Sequence, residues 1–138
     1  MPVRLVLRPD TDSDSKFQKS MSPAMAEALT LAQARAGATV ATTDTDATEA
    51  LERISGSLGM TTLGLVRAEG RLLKALELDG VKPGIDTLLA RRYPFGKTLF
   101  LATRGAPSAE VQAVFATAFS RKVAQAFASL GCQVAGPA

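Results

Sequence analysis

At 138 residues, 46% hydrophobic and 21% charged, the chain has the length and apolar content to build a core, which excludes the disordered class. The net charge is +3 with scattered basic residues, one Tyr and no Trp, whereas a nucleic-acid surface needs clustered Lys and Arg beside stacking aromatics; no nucleic-acid partner is expected. No His occurs and Cys132 is alone, so Ser-His and Cys-His nucleophiles, imidazole or thiol metal sites and an internal disulfide are all removed.

Val3–Leu7 predicts a buried strand. Arg8-Pro9-Asp10-Thr11-Asp12-Ser13-Asp14-Ser15 follows as a polar loop at the mouth of a helix. In α/β folds the carboxyl end of a strand is where small ligands are held. The free N–H groups of the first helical turn favour an anion there. Arg8 would add a planar, charged fork, and Ser13 and Ser15 hydroxyl donors. The same stretch also reads as helix caps that bind nothing, since Asp and Ser are preferred cap residues.

Lys16–Ser20 predicts a first helical turn, and Ser22-Pro23 an N-cap and first helical position. Met25, Ala28, Leu29 and Ala32 share one face of the helix that follows, which ends near Ala36 with Gly37 behind it. Ala38–Thr42 predicts a short strand. Asp46 and Glu49 have capping-box spacing at the head of a helix carrying Ala47, Ala50, Leu51 and Ile54. Strands are expected at Met60–Val66, Leu72–Leu78 and Lys97–Thr103, with a turn at Asp79-Gly80 and a short helix over Ile85–Ala90. Ser108 and Ser120 each head a helix; Val111, Val114, Phe115, Ala118 and Phe119 line the first, and Val123, Phe127 and Leu130 the second, which Gly131 closes. Strands alternating with helices place the chain in the α/β class as one domain.

Gly96-Lys97-Thr98 ends like a phosphate-binding P-loop, but Arg91 stands where the first Gly is required and the following Leu99-Phe100-Leu101 reads as strand. Asp10, Asp12 and Asp14 alternate like the opening of a calcium loop, but Ser15 replaces its sixth-position Gly and Met21 its closing Glu. No cofactor or metal is expected. The start, Met1-Pro2-Val3-Arg4, has no signal-peptide pattern, and no apolar run approaches the ~20 residues of a membrane span.

Four phrases, in order, resemble the second lobe and C-terminal return segment of a type II periplasmic substrate-binding protein of ABC transporters, nearest the phosphate-binding branch. Arg8–Ser15 stands where that branch has Arg-x-Asp-Gly-Ser-Gly-Thr. Ile54-Ser55-Gly56-Ser57-Leu58-Gly59 resembles its Gly-x-Ile-Gly-Tyr entry, with Met60 where Tyr is frequent. Tyr93-Pro94-Phe95-Gly96-Lys97-Thr98-Leu99-Phe100-Leu101 resembles its Tyr-Pro strand. Ala113 to Gly131 resembles its closing helices.

The resemblance implies a mixed β-sheet flanked by helices and a binding protein, not an enzyme. Arg8 would clamp a small oxyanion such as phosphate, and Asp10 would orient Arg8 or accept a proton from a protonated oxyanion. Ser13 would offer a backbone N–H, with Asp14 and Ser15 completing the ligand-binding set. Asp12 stands for the family's Ser and Asp14 for its Thr; both carboxylates would repel an anion unless turned outward as helix-start charges. An ABC permease is the implied partner of the full-length protein and the periplasm the implied location, with the family's first lobe lying largely before Met1. The alternative is a structural or interaction domain derived from such a lobe that has lost its ligand. Without the first lobe, the apolar face of the closing helices implies a homodimer, the alternative being that these helices fold back on their own sheet and complete a compact monomer.

Overall fold

The computed structural model describes residues 2–135. Its internal contacts form two compact units that divide between Leu73 and Lys74.

The first unit runs β1 (Arg4–Leu7), α1 (Ser13–Met21), α2 (Pro23–Gln33), β2 (Thr39–Val40), α3 (Asp44–Arg53), β3 (Ser57–Gly59) and α4 (Leu63–Ala68). The strands form one sheet in the order β2-β1-β3. Val6 pairs with Thr39 on one side and Gly59 on the other, and both pairings are parallel. Parallel neighbours need crossover connections, which α1 with α2 and α3 supply. The α/β class therefore holds. The mixed sheet expected from the resemblance does not: every pairing between these strands is parallel.

Neighbouring residues of a strand face opposite ways. Val6 packs with Ala41, Ala47, Ala50 and Leu51, whereas Leu7 packs with Leu29 and Ala32. Thus α3 covers one face of β1 and α2 the other, and the sheet is sandwiched although it is small. Of the expected α2 face, Leu29 and Ala32 are buried but Met25 is 41% exposed.

Ser22 and Pro23 start α2 as predicted, the Ser22 hydroxyl accepting from Met25 N–H at 3.1 Å. The capping box of α3 lies three residues earlier than the Asp46–Glu49 spacing indicated. Thr43 is the N-cap; its hydroxyl accepts from Asp46 N–H at 3.0 Å, and the Asp46 carboxylate accepts from Thr43 N–H at 3.2 Å. Either residue type can cap, and Thr43 wins because β2 has already ended at Val40.

The Thr43 and Thr42 hydroxyls hold the Asp46 carboxyl below the usual carboxylate range. A lowered folded-state pKa stabilises above the unfolded-state value and is lost as pH falls through the folded one. Acid titration followed by circular dichroism is expected to show helix loss beginning below about pH 4. Asp46→Asn should flatten that slope, and Thr43→Ala should cost about 1 kcal/mol at neutral pH.

The strand expected at Met60–Val66 is not formed. β3 ends at Gly59, and the Thr62 hydroxyl, accepting from Leu65 N–H at 3.3 Å, starts α4 instead. Cap chemistry outweighs the β-branched composition here.

The second unit carries α5 (Ile85–Leu89), α6 (Ala109–Ala118) and α7 (Arg121–Ser129). Ser108 and Ser120 cap the latter two, as predicted. The Asp79-Gly80 turn is present, with both residues at positive φ between the bridged Leu78 and Val81. Leu72–Leu78 and Lys97–Thr103 join no strand ladder, contrary to expectation. Leucine-rich runs become strands only where a neighbour supplies hydrogen bonds, and composition does not show whether one is at hand.

Candidate functional site

Arg8 is the first residue beyond β1, the central strand, so it stands at the carboxyl end of the sheet. Its backbone is pinned there. The Arg8 carbonyl accepts from the Ser15 hydroxyl at 3.1 Å and from Gln33 Nε2 at 3.1 Å, and Gln33 Nε2 also donates to Ser15 Oγ at 3.3 Å. Ser15 is fully buried, so its hydroxyl works inward on the loop.

The Arg8 side chain is buried, only 6% of the residue remaining exposed. Nη1 donates to Ala41 O at 3.2 Å. Nη2 lies 2.9 Å from Asp12 Oδ2 and 3.2 Å from Asp44 Oδ1. Nε is buried without a hydrogen-bond partner. Asp12 is shared: its other oxygen accepts from Asp14 N–H at 2.8 Å, making it the N-cap of α1. The helix start and the guanidinium are thus joined through one carboxylate.

This explains why Asp44 reaches the loop. In a parallel sheet, adjacent strands end on the same side, so the segment after β2 lies beside the segment after β1. Asp44 is the first residue of α3 and Asp12 the N-cap of α1, and both carboxylates meet the same cation.

The predicted site residues separate into two groups. Arg8, Asp14 and Ser15 are buried beneath the loop. Asp10 and Ser13 lie on its exposed side, and Asp10 forms an ion pair with Lys19. The residues missed from sequence are Asp44, Gln33 and Ala41. The available signal for Asp44 was positional, an acid heading the helix that follows the neighbouring strand.

Electrostatically, the two features suited to an anion are already engaged by the chain's own carboxylates. The α1 terminus carries Asp12 and Asp14, and Arg8 carries Asp12 and Asp44. An incoming oxyanion has to compete with them. Asp44 is the displaceable one, its side chain being 50% exposed against 22% for Asp12. Among the described residues no cluster of three or more His, Cys, Asp or Glu could hold a metal ion, and no helix is long and apolar enough to cross a membrane.

Comparison of the chain with protein-family profiles, with curated proteins and with solved structures gives no match.

Proposed function

We propose that the chain is a non-enzymatic ligand-binding lobe of an ABC-transporter substrate-binding protein, taking a small oxyanion such as phosphate at the Arg8–Ser15 loop. The observation that carries this reading is the buried guanidinium at the carboxyl end of the central strand, beside the start of α1, with Nε unpartnered. Nε and Nη2 form one edge of the guanidinium. Asp12 stays at 2.9 Å from Nη2, so moving Asp44 away removes one of the two carboxylates that a ligand oxygen must compete with there. An ABC permease as partner and a periplasmic location belong to the same reading.

Calorimetry with phosphate, sulfate, molybdate and tungstate tests it, on the original chain, Arg8→Ala and Asp44→Asn. Because two carboxylates compete, the original chain is expected to bind at about 1 mM. Asp44→Asn removes one competitor and should tighten binding about tenfold, equivalent to ~1.4 kcal/mol. Arg8→Ala should abolish it. Equal affinities in all three proteins would eliminate the site.

A second reading is favoured by the ion pairs themselves. Arg8 held by Asp12 and Asp44 suits a structural or interaction domain that has exchanged its ligand for internal carboxylates. Absence of binding heat in both the original chain and Asp44→Asn would select it.

A further inference from the structure

Among the described residues, two buried side-chain polar atoms have no hydrogen-bond partner, Arg8 Nε and Thr61 Oγ1. The sheet brings their residues to one place. Val6 of β1 and Gly59 of β3 are register partners in a parallel pair. Arg8 stands two residues past Val6, and Thr61 two residues past Gly59. Parallel strands leave a sheet on the same side, so both residues lie at its carboxyl edge. Thr61 precedes the helix that follows: Thr62 behind it is still extended, at φ −86° and ψ 140°, and caps α4.

The other two nitrogens of Arg8 are engaged from elsewhere, Nη1 by Ala41 after β2 and Nη2 by Asp12 and Asp44. β3 flanks β1 on the side away from β2, and Thr61 is what its outgoing segment brings to this edge. Buried polar atoms are nearly always paired, so two orphans at one edge of one sheet call for a common partner. Arg Nε–H only donates, whereas a Thr hydroxyl donates once and accepts. An oxyanion satisfies both, because its oxygens accept from each. Only 6% of Arg8 is exposed, so a hydrogen bond made there is little weakened by water. The Ser15 hydroxyl, by contrast, already donates to the Arg8 carbonyl.

We propose that Thr61 is a ligand-binding residue of the Arg8 site, its hydroxyl donating to the same oxyanion that Arg8 Nε–H holds. The proposal rests on the anion reading given above and extends it. The site then spans the outgoing ends of β1 and β3, and the hydroxyl that serves the ligand comes from the segment after β3.

Calorimetry of the whole chain with inorganic phosphate tests this in the Asp44→Asn background, where the tightest binding is expected. Thr61→Val keeps the branched shape and removes the hydroxyl. It should weaken phosphate affinity about tenfold, and Thr61→Ser should restore most of it. Because the hydroxyl has no partner within the chain, Thr61→Val should leave the urea midpoint of the ligand-free protein unchanged or raised. Phosphate heat that is lost in Arg8→Ala but unaltered in Thr61→Val overturns this proposal and leaves the Arg8 reading standing. Absence of heat in Asp44→Asn itself overturns both. A lowered urea midpoint in Thr61→Val, with affinity not recovered in Thr61→Ser, assigns the hydroxyl to the fold and overturns the proposal as well.

Discussion

Arg8→Ala is expected to lower the unfolding free energy of the first unit by about 2–3 kcal/mol, through loss of a buried cation that neutralises two carboxylates. Removing one member of a fully buried pair costs ~3–5 kcal/mol, while exposed pairs are worth ~0–1 kcal/mol. Here the Arg8 side chain is 7% exposed, Asp12 22% and Asp44 50%, so the effect falls between these limits. The Ala41 carbonyl also loses its donor. Double-mutant cycles should give a larger coupling for Arg8 with Asp12 than with Asp44, because Asp12 is better buried and also caps α1. Urea unfolding followed by far-UV circular dichroism is the suitable measurement, since the chain has no Trp and its one Tyr, Tyr93, lies in the second unit. A change under about 1 kcal/mol would show that the guanidinium is not integral to the fold.

Gly59→Ala should be as damaging, for a steric reason. A Cβ at this position would stand 2.7 Å from the Val6 carbonyl oxygen, 3.1 Å from Leu51 Cδ2 and 3.3 Å from Val6 Cβ. The first of these is backbone of the central strand and cannot swing aside. β3 would have to move away from β1, breaking the Val6–Gly59 register and loosening α3. Overpacking of this kind costs about 1–3 kcal/mol, and the upper end is expected. Gly37→Ala provides the contrast: nothing lies within 4 Å of its Cβ, and the only cost is its left-handed φ of +76°, about 1 kcal/mol. Thermal melting should rank Gly59→Ala as the less stable protein. The reverse order would mean that the close approach of β3 to β1 is not a constraint.

The features legible in the sequence were those set by neighbouring residues. Ser22-Pro23, Ser108 and Ser120 start helices because a hydroxyl reaches an N–H three residues on, and that geometry needs no tertiary partner. Strand β1 and the loop after it were legible because an apolar run meets a cluster of cap residues. Features depending on distant partners were not. Met60–Val66 and Lys97–Thr103 have strand composition, yet a strand exists only through its neighbour. The same holds for the site. The loop was visible from Arg8 to Ser15, but the role of Arg8 is decided by Asp44 and Ala41, brought to it by the β1–β2 pairing. A charged residue reads as a ligand donor until its internal counter-ions are known.

The confinement of the core to Val6–Leu51 bears on the order of events during synthesis. Translation at ~5–20 residues per second places the synthesis of Leu73 roughly 3–13 s ahead of that of Ala138. Small α/β units fold within milliseconds to seconds. The Arg8–Asp44 clasp and the sandwiched sheet can therefore be closed on the nascent chain before α6 and α7 have been made. The residues of α6 and α7 are therefore added to a chain whose first unit has had time to close.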